Sequence, residues 1–314
     1  MIEFFKMKTL VVILSETRCH ELTFENFKKN VVDALSADLC VCIGIKKDYD
    51  YDNPYYALAK HRFLYNEEDD ASFSKSIELA YRETLPDIPA DQKHYLYFLL
   101  LKERVYTETN NPDHYSNFLI STYIHTFFLW FLHQNMKKFR LLEKYDRFVI
   151  SRSDFLYALP FPKMELLDDK YIWIPNGEDY DGICDRTVVL GRQNFESYTN
   201  ILESFLKKSN KYFKNIESGG KDWNMERILK MHLQENNVWD QVRRYPYISY
   251  CVRNIDGPTR WEPGQFSIEH QYFIKYPREE KQASRLKEEF VQASIHIDDF
   301  FVKAIGEINI EVIL

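Results

Sequence analysis

Lys8 to Leu14 carry an almost unbroken apolar run, the pattern of a strand buried on both faces. Phe24, Phe27, Val31 and Leu35 then recur at helical spacing, so residues 23–35 are predicted to form an amphipathic helix. A second buried strand follows at Asp38-Leu-Cys-Val-Cys-Ile-Gly-Ile45. Strand, helix and strand make a βαβ unit with a right-handed crossover, the opening of a parallel nucleotide-binding sheet. Residues 46–93 are polar and irregular, with acidic clusters at Asp48–Asp52 and Glu67–Asp70, and predict solvated loops around one helix near Ser74–Thr84. His94–Leu101 is apolar and fits either a strand or a helix, and Asn110-Asn-Pro-Asp113 is a break. Tyr115 to Lys144 predicts a long helix with a basic end at Lys137, Lys138 and Arg140, which suits the helix dipole. Its apolar stretch, Phe118 to Leu132, falls short of the ~20 residues of a bilayer crossing, so a buried helix is expected and no transmembrane segment.

Further along, the apolar Phe148-Val-Ile150 runs directly into Ser151-Arg-Ser-Asp154. A second such step follows, from Tyr171-Ile-Trp-Ile-Pro175 into Asn176-Gly-Glu-Asp-Tyr-Asp-Gly-Ile-Cys-Asp-Arg186. A helix near Asn194–Lys208, a break at Ser218–Gly220, a short helix over Asp222–Leu233 and a strand at Ile248–Val252 complete the core pattern. From Glu262 the chain becomes charged and helical (Arg278–Ala293) and ends in an apolar tail. With no internal repeat and no low-complexity linker, the simplest partition is one catalytic-type domain over residues 1–261 and a C-terminal extension over 262–314 packed on it.

Composition narrows the partners more than the fold. A chain of 314 residues can bury an ample core, and its net charge of −7 argues against nucleic acid. Aromatic residues reach 16%, which fits either a carbohydrate-handling surface or an aromatic core. The five cysteines are odd in number and include no C-x-x-C pair; Cys40 and Cys42 point the same way on one strand, more simply as buried thiols than as zinc ligands. Without a sequon or a signal-peptide layout, a reducing, cytoplasmic location is expected. Only nine glycines occur and none forms a G-x-G, so neither a dinucleotide-binding fingerprint nor a P-loop is present. Any nucleotide phosphates must be held by something other than a glycine cradle. Two strand ends that open into acidic and polar residues point instead to a cation-assisted site for a charged substrate, placed where open α/β sheets bind ligands.

Four segments resemble GT-A-type glycosyltransferases of bacterial capsule and surface-glycan loci and of large DNA viruses. They are Ile13-Leu-Ser-Glu-Thr-Arg18 followed by Phe24-Glu-Asn-Phe27, the block Tyr145–Asp154, the segment Gly177–Asp185, and Glu226-Arg-Ile-Leu-Lys-Met-His-Leu233. They span roughly residues 8–235, and 262–314 lie outside the resemblance. One departure bears on chemistry: many such enzymes carry Asp-x-Asp as a metal motif, whereas this chain has Arg152-Ser153-Asp154, with a single carboxylate.

The resemblance implies an α/β, GT-A-like fold: a Rossmann-type mixed, mostly parallel sheet flanked by helices, with a helical C-terminal extension. It implies transfer of a sugar from a nucleotide-diphosphate sugar, by default a UDP-sugar, to a hydroxyl of a glycan or glycoconjugate acceptor. Asp154 would bind Mn²⁺ or Mg²⁺ as a Lewis acid on the leaving diphosphate. Ser15, Arg18, Arg152, Ser153 and Asp154 would contact the donor nucleotide. Inverting transfer needs a general base, for which Asp185 and Asp179 fall on the acidic positions; a retaining enzyme would need none. Tyr180, Glu226 and Trp223 would bind acceptor. Plainer readings stand beside these: an Arg152–Asp154 pair that only fixes a strand end, a capping Asp in an acidic surface loop, and Glu226 paired with Lys230, with His232 simply packed. Two other functions fit the same pattern, a catalytically inactive glycan-binding module and a sugar nucleotidyltransferase. The latter normally carries a glycine-rich loop with a Lys, which is missing after Leu14.

Overall fold

The computed structural model describes residues 7–67, 71–84, 112–208, 211–212, 224–257 and 262–311. The expectations for His94–Leu101, for the break at Ser218–Gly220 and for Trp223 lie outside these residues. Strand β1 (Thr9–Ser15) leads through helix α1 (His20–Phe27), continued by wider π-helical turns over Lys28–Asp33, to β2 (Asp38–Ile45). The pairing is parallel, with Leu10 opposite Asp38 and Ser15 opposite Ile43, as the apolar pattern predicts. After α2 (Pro54–Leu58) comes β3 (His61–Asn66), also parallel, on the outer edge of β2. This strand falls within the stretch expected to be loop. As an edge strand it is hydrogen-bonded on one side only, Phe63 is its one buried residue, and its apolar run is just Phe63-Leu64-Tyr65.

Helices α3 (Ala71–Thr84) and α4 (Pro112–Lys138) precede β4 (Arg147–Ser151), which pairs with β1 in parallel on the side away from β2. The long helix stops short of the expected Lys144, because Arg140 takes a left-handed conformation (φ 54°) that α-helix cannot continue through. Then follow β5 (Phe155–Tyr157), β6 (Ile172–Pro175), β7 (Val188–Gly191), helices α5 (Arg192–Thr199) and α6 (Ile201–Lys207), α7 (Met225–Glu235), β8 (Val242–Tyr245) and β9 (Ser249–Arg253). The seven-stranded sheet has the order β3-β2-β1-β4-β7-β6-β8, and within it only β7 runs against the others. The chain is therefore α/β, a mostly parallel mixed sheet flanked by helices.

Side chains of β1 alternate between two cores. Leu10, Val12 and Leu14 face the layer of α4 to α7, whereas Val11 and Ile13 face α1, α2 and the last helix, α9 (Ile297–Glu311). Both faces are covered, which is why β1 reads as continuous apolar sequence. All five cysteines are free and buried, Cys40 and Cys42 at 0% exposure.

A second, four-stranded sheet, order β10-β11-β9-β5, uses β10 (Gln265–Ser267) and β11 (Tyr272–Ile274) from the C-terminal segment. Helix α8 (Pro277–Ala293) packs on β9, and α9 on β8. The segment after residue 262 is thus two strands and then two helices, joined to the body by strand pairing as well as by packing. Among the described residues no helix is long and apolar enough to cross a membrane.

Candidate active site

Strand β1 lies between β2 and β4, and the chain leaves it in one direction for β2 and β3 and returns on its other side as β4. At such a reversal the loops leaving adjacent carboxyl ends diverge and open a crevice. Glu16–Arg18 follow β1 at this point, and Arg152–Asp154 follow β4. Ser15 (φ 75°) and Cys19 (φ 58°) both adopt left-handed backbone, so the first loop turns sharply. Its anchor is Ser153, whose hydroxyl lies 3.0 Å from the carbonyl oxygens of both Glu16 and Arg18 and donates to that turn. The Ser153 carbonyl accepts from Thr23 Oγ1 (2.6 Å) and from Tyr55 Oη (3.1 Å). Ser153 is buried and fastens loop to loop; the expected donor contact does not suit its inward position.

Asp154 is only 1% exposed, yet both its oxygens are occupied. Arg152 grips it with two bonds, Nε to Oδ1 at 3.0 Å and Nη2 to Oδ2 at 2.7 Å. Arg253, at the end of β9, donates from Nη1 to Oδ2 at 2.5 Å, and Arg18 Nε stands 3.7 Å from the same oxygen. Burial works to raise the Asp154 pKa, but Arg152, Arg253 and Arg18 together hold its carboxyl well below the usual carboxylate range. Lys275, just past β11, is buried beside the same group; burial and then Arg152 push its pKa down to about 7. The expectation that Asp154 binds Mn²⁺ or Mg²⁺ does not fit these surroundings. A hard dication needs free carboxylate oxygens, and here it would meet three guanidiniums and a lysine instead. Nor do any three His, Cys, Asp or Glu among the described residues form a group that could hold a metal.

The second acidic loop follows β6. Gly177 (φ 146°), Glu178 (φ 52°), Tyr180 (φ 43°) and Asp181 (φ 64°) all have positive φ, a conformation that side chains other than glycine resist. Asp179 keeps the loop in this shape: its Oδ1 accepts from the Cys184 amide (2.8 Å) and Arg244 Nη1 (3.0 Å), and its Oδ2 from Arg244 Nη2 (2.7 Å). Asp179, expected as a possible base, is therefore a latch with no free oxygen. Gly182 sits against α7 so closely that a Cβ there would come within 2.0 Å of the Glu226 carbonyl carbon, and the Ile183 amide donates to that carbonyl at 3.0 Å. Loop and helix thereby set the position of Glu226.

Asp185 and Glu226 converge on Arg186. Its Nη1 donates to Asp185 Oδ1 at 2.6 Å and reaches Glu226 Oε1 at 3.5 Å, while its Nε donates to Glu279 Oε1 at 3.1 Å. The Arg186 guanidinium also lies 5.0 Å from the Tyr276 ring and 5.9 Å from that of Tyr180, which is half-exposed. Burial works to raise the Asp185 pKa, but Arg186, His125 and Arg152 outweigh it and keep the carboxyl ionised. Burial, reinforced by Asp185, raises Glu226 to about 8. The two carboxyls are pushed in opposite directions, Asp185 toward the charged form and Glu226 toward the protonated one, the separation of roles expected of an acid–base pair. Arg152 acts on both clusters, since it binds Asp154 and also bears on Asp185.

Of the residues expected from sequence, Arg18, Arg152 and Asp154 come together, as do Asp185 and Glu226, with Tyr180 beside the latter. His232 is fully buried and bonds the Ser197 carbonyl at 2.7 Å, a packed helix residue. Sequence reasoning missed Arg253, Lys275, Arg186, His125 and Glu279. Arg186 directly follows Asp185 and could have been found as the counter-ion of that pair; the others stand in segments with no local signal. No protein-family model matches the chain, and no curated protein matches its sequence.

Proposed function

We propose that this chain is a GT-A-like glycosyltransferase that moves a sugar from a nucleotide-diphosphate sugar to a hydroxyl of a glycan, with inversion. The observation that carries this reading is the pairing, through Arg152, of the cationic cluster at the sheet's reversal point with the largely buried carboxylates Asp185 and Glu226. A diphosphate requires positive charge as it departs, and an attacking hydroxyl requires a base. Asp185 takes the acceptor proton as the hydroxyl oxygen attacks the anomeric carbon. The anomeric carbon–oxygen bond to the diphosphate breaks, and its electron pair leaves with the nucleoside diphosphate. Glu226, protonated at neutral pH, donates a hydrogen bond to the acceptor, and Tyr180 offers a ring face to a sugar. A UDP-sugar is the default donor.

The test is nucleotide release from UDP-, GDP- and dTDP-sugars in the presence of mixed glycan acceptors. One donor is expected to turn over, and Asp185→Asn to lower kcat by roughly 10²–10⁴-fold with the fold intact by circular dichroism. Turnover of none of the donors would overturn the reading and favour a glycan-binding module.

A further inference from the structure

We infer that the leaving diphosphate is held by side-chain cations, Arg18 and Arg152 backed by Arg253 and Lys275, and that binding needs no divalent ion. The inference rests on the transferase reading and concerns the same crevice. Its basis is a mismatch between Asp154 and the role its position implies. A metal-binding carboxylate directs oxygens outward to a cation, whereas Asp154 is buried and both its oxygens accept from guanidinium groups. Its geometric effect is to orient arginines. Nε and Nη2 of Arg152 are committed to Asp154, and its side chain remains 25% exposed, so the guanidinium is held in place yet reachable from solvent. Arg18 is more open, at 41%, with Glu16 on its Nε at 2.8 Å and Asp154 at 3.7 Å.

Charge balance points the same way. Three guanidiniums converge on Asp154, with Glu16 beside Arg18, a net positive charge at the carboxyl ends of β1 and β4 to which Lys275 adds when protonated. An anion bound at this partly exposed cluster would complete its charge balance. A diphosphate suits the role: planar guanidiniums bind phosphate oxygens in pairs, and a compact ammonium adds a point charge. The scarcity of glycine agrees, since the sequence has no glycine-rich phosphate-binding motif to share the load. Lys275, held near its titration point in the free protein, would become fully charged beside a bound phosphate.

The experiment is calorimetric titration of UDP, GDP, dTDP and inorganic pyrophosphate into the full chain, once in EDTA and once in Mn²⁺. Wild type would be compared with Arg18→Ala and with Arg152→Lys, which keeps a charge for Asp154 but removes the planar fork. One nucleoside diphosphate is expected to bind in EDTA within about threefold of its affinity in Mn²⁺, with pyrophosphate competing. Each variant should weaken it by about tenfold or more while retaining the wild-type circular dichroism. Binding that appears only with Mn²⁺ would overturn the inference and leave the transferase reading in place. Metal-free binding that neither variant weakens would overturn the assignment of these residues. Absence of binding by every diphosphate under both conditions would overturn the inference together with the reading beneath it.

Discussion

Two guanidiniums organise the crevice. Arg152 orients Asp154, and Arg186 gathers Asp185, Glu226 and Glu279, so each carboxylate is defined by the arginine it faces. Glu226 is the member left short of charge compensation, 3.5 Å from Arg186 and 7% exposed. Its folded-state pKa of about 8 lies above that of an unfolded glutamate. Between those two values the folded protein holds a proton that the unfolded chain has released, so this residue's contribution is present at low pH and is lost as pH rises through about 8. Glu226→Gln removes the titration. In urea denaturation the variant is expected to match wild type near pH 5 and to exceed its stability at pH 8.5. A constant difference across that range would show that Glu226 does not titrate in this way.

At the scale of elements, the loop after β6 and helix α7 behave as one unit. The loop holds three non-glycine residues in left-handed conformations, a strain of order 1–3 kcal/mol each that persists only under external restraint. Asp179 with Arg244 provides one restraint, the Arg227–Asp181 ion pair and the Asn224 bond to the Tyr180 carbonyl provide others, and the close seating of Gly182 on the Glu226 carbonyl adds a steric one. Neither the loop nor the helix can carry the carboxylate pair alone. Gly182→Ala would place a methyl group in space already filled by backbone, which cannot yield as a flexible side chain could. Loss of at least about 2 kcal/mol of stability is expected, measured by thermal and urea unfolding, along with loss of donor turnover beyond that of the unfolded fraction. An alanine variant with native stability and turnover would show that α7 can shift without consequence.

For the whole molecule, the segment after residue 262 completes the site as well as the surface. Strands β10 and β11 extend the small sheet from β9, Lys275 stands beside the arginine cluster, and Glu279 on α8 is fully buried. Glu279 neutralises Arg186 and accepts from the Cys251 amide at 3.1 Å. A chain ending at residue 261 would leave Arg186 with a partner missing, the β9 edge bare and the apolar contacts of Phe300 and Phe301 lost. Such a truncation is expected to give aggregated or unfolded protein, as read by size-exclusion chromatography and circular dichroism. A folded, monomeric 1–261 fragment would instead establish the C-terminal segment as a separable extension. Glu279→Gln isolates the charge from the packing and should lower the melting temperature without abolishing folding.

The apolar pattern alone determined β1, β2 and β4, because strands covered on both faces must be continuously hydrophobic, and it determined α1 through its helical spacing and most of α4 through its long apolar run, while the charged composition marked α8. The same apolar pattern also marked the two loops that carry Arg152, Asp154 and Asp185, since polar residues directly after buried strands have few places to go. Edge strand β3 and the short strands β7 and β8 escaped it, their few residues being defined by neighbours rather than by periodicity. What each carboxylate does was decided only by tertiary structure. Asp154 reads like a metal ligand until Arg253 arrives from a strand 99 positions away, and Asp179 reads like a base until Arg244 closes on it across 65 positions. Local sequence places a charge at a strand end; the charge's partner, and with it the pKa and the chemistry, comes from whichever distant segment the fold brings alongside.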